Sequence, residues 1–207
     1  MKAKEKVSAK EITGIAVLLA LVIVLQTFGG TISIGAVQLN FTLIPIVLGA
    51  IVFGAWVGAF LGLACGIVVL VQVIMGVVPF YALIWANDPI VTFFTCTVKT
   101  TAAGLVAGWL FKLVSKKNVY VGLFVASGIV PVVNTALFIV GCLFMNESIL
   151  AFQAMLPDVA GMNIFVFILV VLVTFNFFIE LALNLLVTPA LHRVIGIVDK
   201  KYKRKKI

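Results

Sequence analysis

Charged side chains are scarce in this chain: Asp, Glu, Lys and Arg make up 11% of its 207 residues, against 64% hydrophobic. An ordinary soluble domain carries about 25% charged and roughly 45–50% apolar residues, so no water-soluble core could hide this much apolar surface. Histidine occurs once, as His192, and the three cysteines, Cys65, Cys96 and Cys142, each sit inside an apolar run without forming a CxxC pair. The HExxH, GxSxG and GxxxxGK[ST] patterns are missing, so nothing assigns a catalytic residue, a cofactor or a metal, and no enzyme is expected. The net charge of +8 comes from basic residues crowded beside apolar runs. There is no basic groove with interleaved aromatics, so the charge speaks for membrane orientation and against nucleic acid.

What the chain does have is long hydrophobic runs, and its mean hydropathy is +1.30. They fall at about 12–28, 41–78, 89–114, 119–144 and 162–191, while a span needs about 20 residues to cross a hydrocarbon core of roughly 30 Å. As one helix the second run would reach about 55 Å at about 1.5 Å per residue, so it has to turn back on itself. Gly54-Ala55-Trp56 marks the reversal. The expectation is an all-α integral membrane protein, one domain over 1–207, with six spans near 12–28, 41–54, 57–77, 89–114, 119–144 and 162–191. The first run follows four lysines but lacks a small-x-small cleavage site after Gln26, and is read as a retained helix rather than a signal peptide.

Charge placement tests the count independently. Lys2, Lys4, Lys6 and Lys10 precede the first run, and Arg193, Lys200, Lys201, Lys203, Arg204, Lys205 and Lys206 follow the last. The positive-inside rule puts both tails in the cytoplasm, which requires an even number of spans. Lys112, Lys116 and Lys117 then fall at the inner connection near 115–118, whereas the outer connections near 30–40, 78–88 and 146–161 carry no Lys or Arg.

Lys99 alone is left unplaced. It lies about ten residues into the fourth span, near mid-membrane, where a lysine costs roughly 2.5–3.5 kcal/mol and must face a partner or a wet cavity. Glu180 sits at a comparable depth in the last span, on one face with Asn176 and Asn184 at four-residue spacing. Two readings stay open: a structural Lys99–Glu180 ion pair, or a ligand site. Asn134, after Pro131, can serve either an interhelical hydrogen bond or a ligand. Toward the outer side Asn40, Thr42, Gln72, Tyr81, Trp85, Asn87 and Asp88 offer polar and stacking groups, though Tyr81 and Trp85 also suit an interfacial belt. The candidate binding residues are Asn40, Tyr81, Trp85, Asn87, Lys99, Asn134, Asn176 and Glu180. Glycines 49, 54, 58, 62 and 66 form a ladder suited to close helix packing, and Ala16 and Ala20 form a small-xxx-small pair.

Three features together resemble the substrate-binding S components of energy-coupling factor (ECF) vitamin transporters. They are the pair in Ala16-Val-Leu-Leu-Ala20, the segment Asn40-Phe-Thr-Leu-Ile-Pro-Ile-Val-Leu-Gly-Ala50 continuing through Phe53-Gly54, and the sixfold layout with cytoplasmic ends. The resemblance implies a multi-pass protein of a prokaryotic plasma membrane that binds a water-soluble vitamin at its outer side. It further implies docking, through Ala16 and Ala20, on a membrane T subunit that is bound to two cytosolic ATPases. Many members have proline after the glycine where this chain has Gly54-Ala55. The Leu-Ile-Pro-Ile segment is more similar to members handling pantothenate or cobalamin than to the riboflavin group. The alternative is a self-sufficient secondary transporter or channel using Lys99 and Glu180 in the membrane.

Overall fold

The computed structural model describes the backbone of residues 8–29, 33–34, 37–38 and 40–203 and the side chains of residues 8–29 and 40–196. Lys2, Lys4, Lys6 and the basic side chains from Lys200 onward lie outside that set. Helices dominate, as they must where lipid offers no partner to a backbone N–H or C=O. Helix α1 (Ala9–Gly29) is followed by a minimal hairpin, β1 (Ser33–Ile34) paired antiparallel with β2 (Val37–Gln38). Then come α2 (Leu43–Val52), α3 (Ala55–Ile74), α4 (Pro79–Asn87), α5 (Pro89–Val114), α6 (Val119–Phe144) and α7 (Asn146–Ala154). The last helical run begins as α8 (Ile164–Phe167), passes through π-helix at Ile168–Val173 and continues as α9 (Thr174–Lys203).

Helices α1, α3, α5, α6 and the run Ile164–Gly196 are long and apolar enough to cross a membrane. Helix α2 is not: its 10 residues span about 15 Å, half of a hydrocarbon core. Between α1 and α3 the described residues are helical only over Leu43–Val52. Asn40 and Thr42 are drawn into the interior. The Thr42 hydroxyl lies 3.0 Å from Cys65 Sγ, halfway along α3, and the Asn40 amide donates to Glu180 Oε1 at 3.0 Å. Helix α2 therefore starts at mid-depth. Pro45 falls in its first turn, where a missing N–H costs nothing.

Two outer connections expected as loops are short helices. Pro79 opens α4 in the position proline favours, and α4 packs on α7 through Phe80 and Phe152, whose rings meet edge-on at 5.1 Å. The Ser148 hydroxyl donates to Asp88 Oδ2 and ties the two together. With the hairpin, these helices cap one end of the bundle. The opposite end carries Lys112, Lys116, Lys117 and Arg193, and its turn is closed by Asn118, which accepts from the amides of Tyr120 and Val121 at 2.9 and 3.1 Å.

Helices α3 and α5 form the most extensive helix pair. Gly58, Gly62 and Gly66 bring α3 against the backbone of α5, where Gly104 and Gly108 answer them, and the Thr100 hydroxyl donates across the seam to the Gly62 carbonyl at 2.7 Å. Gly54 does not belong to this packing ladder. Its φ of 102° and the open space around it make it the turn residue between α2 and α3.

Candidate functional site

Lys99 lies ten residues beyond Pro89, about 15 Å along α5. Its ammonium sits 5.0 Å from the centroid of the Phe138 ring on α6, a cation–π contact. Among the described residues it has no hydrogen bond and no ion pair. Glu180 is 6% exposed and takes its hydrogen bond from the Asn40 amide instead. The Lys99–Glu180 ion pair entertained from the sequence is therefore not formed among the described residues. The donor Glu180 does have comes from Asn40, just ahead of α2, whose N-terminal end approaches the carboxylate.

Both residues line one cavity with Asn40, Tyr81, Asn134 and Asn176, so six of the eight candidate binding residues meet there. Trp85 and Asn87 do not line it. The inward residues of α4 are Phe80, Tyr81 and Ile84; Trp85 packs half-buried against the apolar core and Asn87 is exposed at the helix end. Asn134 is 5% exposed and its Oδ1 has no hydrogen-bond partner, an uncommon condition for a buried polar atom.

The cavity has a volume of about 40 Å³, room for roughly three water molecules. A smaller cavity of about 20 Å³ adjoins it beneath α4, sharing Val69, Tyr81, Lys99 and Phe138 and adding Val73, Ile84 and Met145. Small-molecule sites usually enclose roughly 300–1,000 Å³, so admitting a ligand requires the surrounding elements to move.

Sequence reasoning missed Gln26, Thr135, Phe138, Leu172 and Val173 in the lining. Gln26 was detectable: Leu18, Val22 and Gln26 recur every four residues and are the buried side chains of α1, so a polar group on that seam needed a partner inside. Its Nε2 donates to Gln72 Oε1 at 3.0 Å, Gln72 Nε2 returns a bond to the Gln26 carbonyl at 3.1 Å, and the Thr42 hydroxyl reaches Gln26 Oε1 at 3.4 Å. Thr42 also bonds Asn40 Oδ1, so the amide network runs from α1 to the cavity. Gln26→Leu removes the donor to the buried Gln72 Oε1 and an acceptor of the Thr42 hydroxyl, and is expected to destabilise the protein by about 1–3 kcal/mol in detergent unfolding. Hydrogen exchange should speed up first in α1, and unchanged exchange there would rule out this anchoring role.

Leu172 and Val173 reach the cavity through the π-helix, which no sequence pattern announced. There the Thr174 hydroxyl donates to the Leu169 carbonyl five residues back, at 2.7 Å. Such insertions cluster at functional sites because they re-aim the side chains that follow, here Asn176 and Glu180.

Comparison with known proteins adds one finding: a model of the family described as ECF transporter, substrate-specific component, matches residues 10–192. No curated protein matches the chain.

Proposed function

Since the chain belongs to the substrate-specific components of ECF transporters, a family of transport subunits rather than catalysts, we propose that it captures a water-soluble vitamin or related micronutrient with high affinity. Pantothenate and cobalamin are favoured over riboflavin and folate. The capped end faces outward in the plasma membrane of a prokaryote, and the basic end faces the cytoplasm, as the positive-inside rule requires. Uptake is driven by a membrane T subunit and two cytosolic ATPases that dock on this chain.

The observation that carries this reading is the convergence of Asn40, Tyr81, Lys99, Asn134, Asn176 and Glu180 on one cavity beneath a cap of short helices. Polar groups at such depth are expensive, and they converge where a hydrated solute is to be held out of water. A face for the T subunit is available on α1. Ala16 and Ala20 are exposed and stand two residues from Leu18, about 200° around the helix at about 100° per residue, away from the buried seam.

Purified chain in detergent should gain thermal stability with one vitamin from a panel of pantothenate, cobalamin, riboflavin, folate, thiamine, biotin and pyridoxine, by mass action on the folded state. Vesicles holding the chain alone should show no uptake, and co-expression of the T subunit and ATPases should restore it. Flux through the chain alone on a proton or sodium gradient would establish the self-sufficient transporter built on Lys99 and Glu180 instead.

A further inference from the structure

We infer that the cavity takes a small monocarboxylate carrying N–H or O–H donors, bound with its carboxylate at Lys99 and its donor end at Asn134 and Glu180. This rests on the substrate-binding reading above and narrows it to a ligand class and an orientation.

Three groups lining the cavity, Lys99, Asn134 and Glu180, keep unused hydrogen-bonding capacity among the described residues, and their chemistry is complementary to one kind of molecule. Lys99 brings three N–H donors and a full positive charge to mid-membrane, and among the described residues it has only the face of Phe138. A ring face attracts a cation without accepting its hydrogen bonds in the way an oxyanion does. Had Glu180 neutralised Lys99, an anionic ligand would have met a site with no net attraction. In the structure Glu180 takes the Asn40 amide and makes no ion pair with Lys99 among the described residues, so the ammonium's N–H donors are left for a ligand carboxylate placed at its own end of the cavity.

The other two offer acceptor atoms. Among the described residues Asn134 Oδ1 is buried with no donor, and Glu180 has a protein donor on Oε1 only. A second anionic group there would meet the Glu180 charge unscreened, whereas an amide, ureido or hydroxyl donor satisfies both acceptors. The adjoining apolar cavity beneath α4 suits a short aliphatic part. A cationic group placed at the Lys99 end would be repelled.

The probes are pantothenate and biotin, each a monocarboxylate with N–H or O–H donors, set against riboflavin and pyridoxine as neutral ligands and thiamine as a cation. One of the two monocarboxylates should bind the wild-type chain tightly, and its methyl ester or primary alcohol about 100-fold or more weaker, as expected when a buried charge loses its partner. Lys99→Met should weaken the acid by a similar factor while leaving the ester nearly unchanged, and should raise the thermal midpoint of the ligand-free protein, because a lysine has been removed from lipid depth. If Lys99→Met does not yield folded protein, the comparison of acid with ester on wild-type chain decides alone. Tight binding of riboflavin, pyridoxine or thiamine overturns this inference and leaves the vitamin-binding function standing. So does an acid that binds no better than its ester. Failure of the whole vitamin panel overturns the function itself, and the orientation with it.

Discussion

Gly62→Leu is expected to leave no monodisperse protein after detergent extraction. A β-carbon at Gly62 would overlap the carbonyl of Thr100 and approach the Thr101 amide nitrogen at 2.9 Å. These are backbone atoms inside α5, so no rotamer change relieves the clash. The two helices would have to part, and with them would go the Thr100–Gly62 hydrogen bond and the close packing of Gly58 and Gly66 on either side. In lipid, helices associate through such packing and hydrogen bonds rather than through apolar burial, so the seam has no substitute. The loss should exceed about 4 kcal/mol, the range reserved for overpacking and broken networks. Gly128→Ala is the control. A β-carbon there would meet Leu185 and Leu181 side chains at 3.6 and 3.9 Å, ordinary contacts, and the better helix former should be neutral or stabilise by up to about 1 kcal/mol. Equal yields of both variants would mean that α3 and α5 can separate without consequence.

Ala16→Trp combined with Ala20→Trp should abolish ATP-driven uptake and leave vitamin binding by the isolated chain unchanged. Both alanines are exposed, on the side of α1 opposite Leu18, Val22 and Gln26, the residues that anchor the helix. Two bulky rings there meet no neighbour in the bundle, so the fold and the cavity are untouched. A partner helix approaching this shallow face would instead be held several ångströms off, since small residues are what permit close helix contact in a membrane. Uptake by the co-expressed transporter should fall to background, with the affinity measured in detergent within about twofold of wild type. Full uptake by the double variant would move the T-subunit contact elsewhere.

The two outcomes differ because the same small-residue pattern lies on two kinds of surface, one buried against α5 and one exposed. From sequence, the ladder of glycines and the alanine pair looked alike, as spacing of small residues on helices. Which faces inward depends on what lies across from it: α5 backbone for Gly58, Gly62 and Gly66, and nothing within the described chain for Ala16 and Ala20. Gly54 shows the limit from the other side, for it shares the ladder's spacing yet serves a turn through its φ of 102°.

The candidate site was legible to the extent that polarity and depth reveal it. Lys99, Asn134, Asn176 and Glu180 stood out as groups that lipid does not tolerate, and the cavity gathers them with Asn40 and Tyr81. Trp85 and Asn87 were less constrained, because a polar or aromatic residue near a membrane surface has several satisfactory environments. Phe138, Leu172 and Val173 were invisible, since an apolar residue that lines a cavity has the same sequence signature as one that faces a neighbour.

Hydropathy and charge by themselves determined that this chain lives in a bilayer as a helical protein, and where its basic segments lie. These follow from local energetics: an apolar run in lipid must satisfy its own backbone, and a lysine is costly inside the hydrocarbon and cheap at its edge. Only the tertiary structure decided that Lys99 and Glu180 form no ion pair among the described residues. Lys99 and Glu180 are opposite in sign and similar in depth, and nothing in their spacing separates a salt bridge from two independent groups. Asn40, just ahead of the half-length α2, enters the bundle and presents its backbone amide to Glu180. A backbone donor in the membrane interior must find an acceptor, and here the acceptor is that carboxylate.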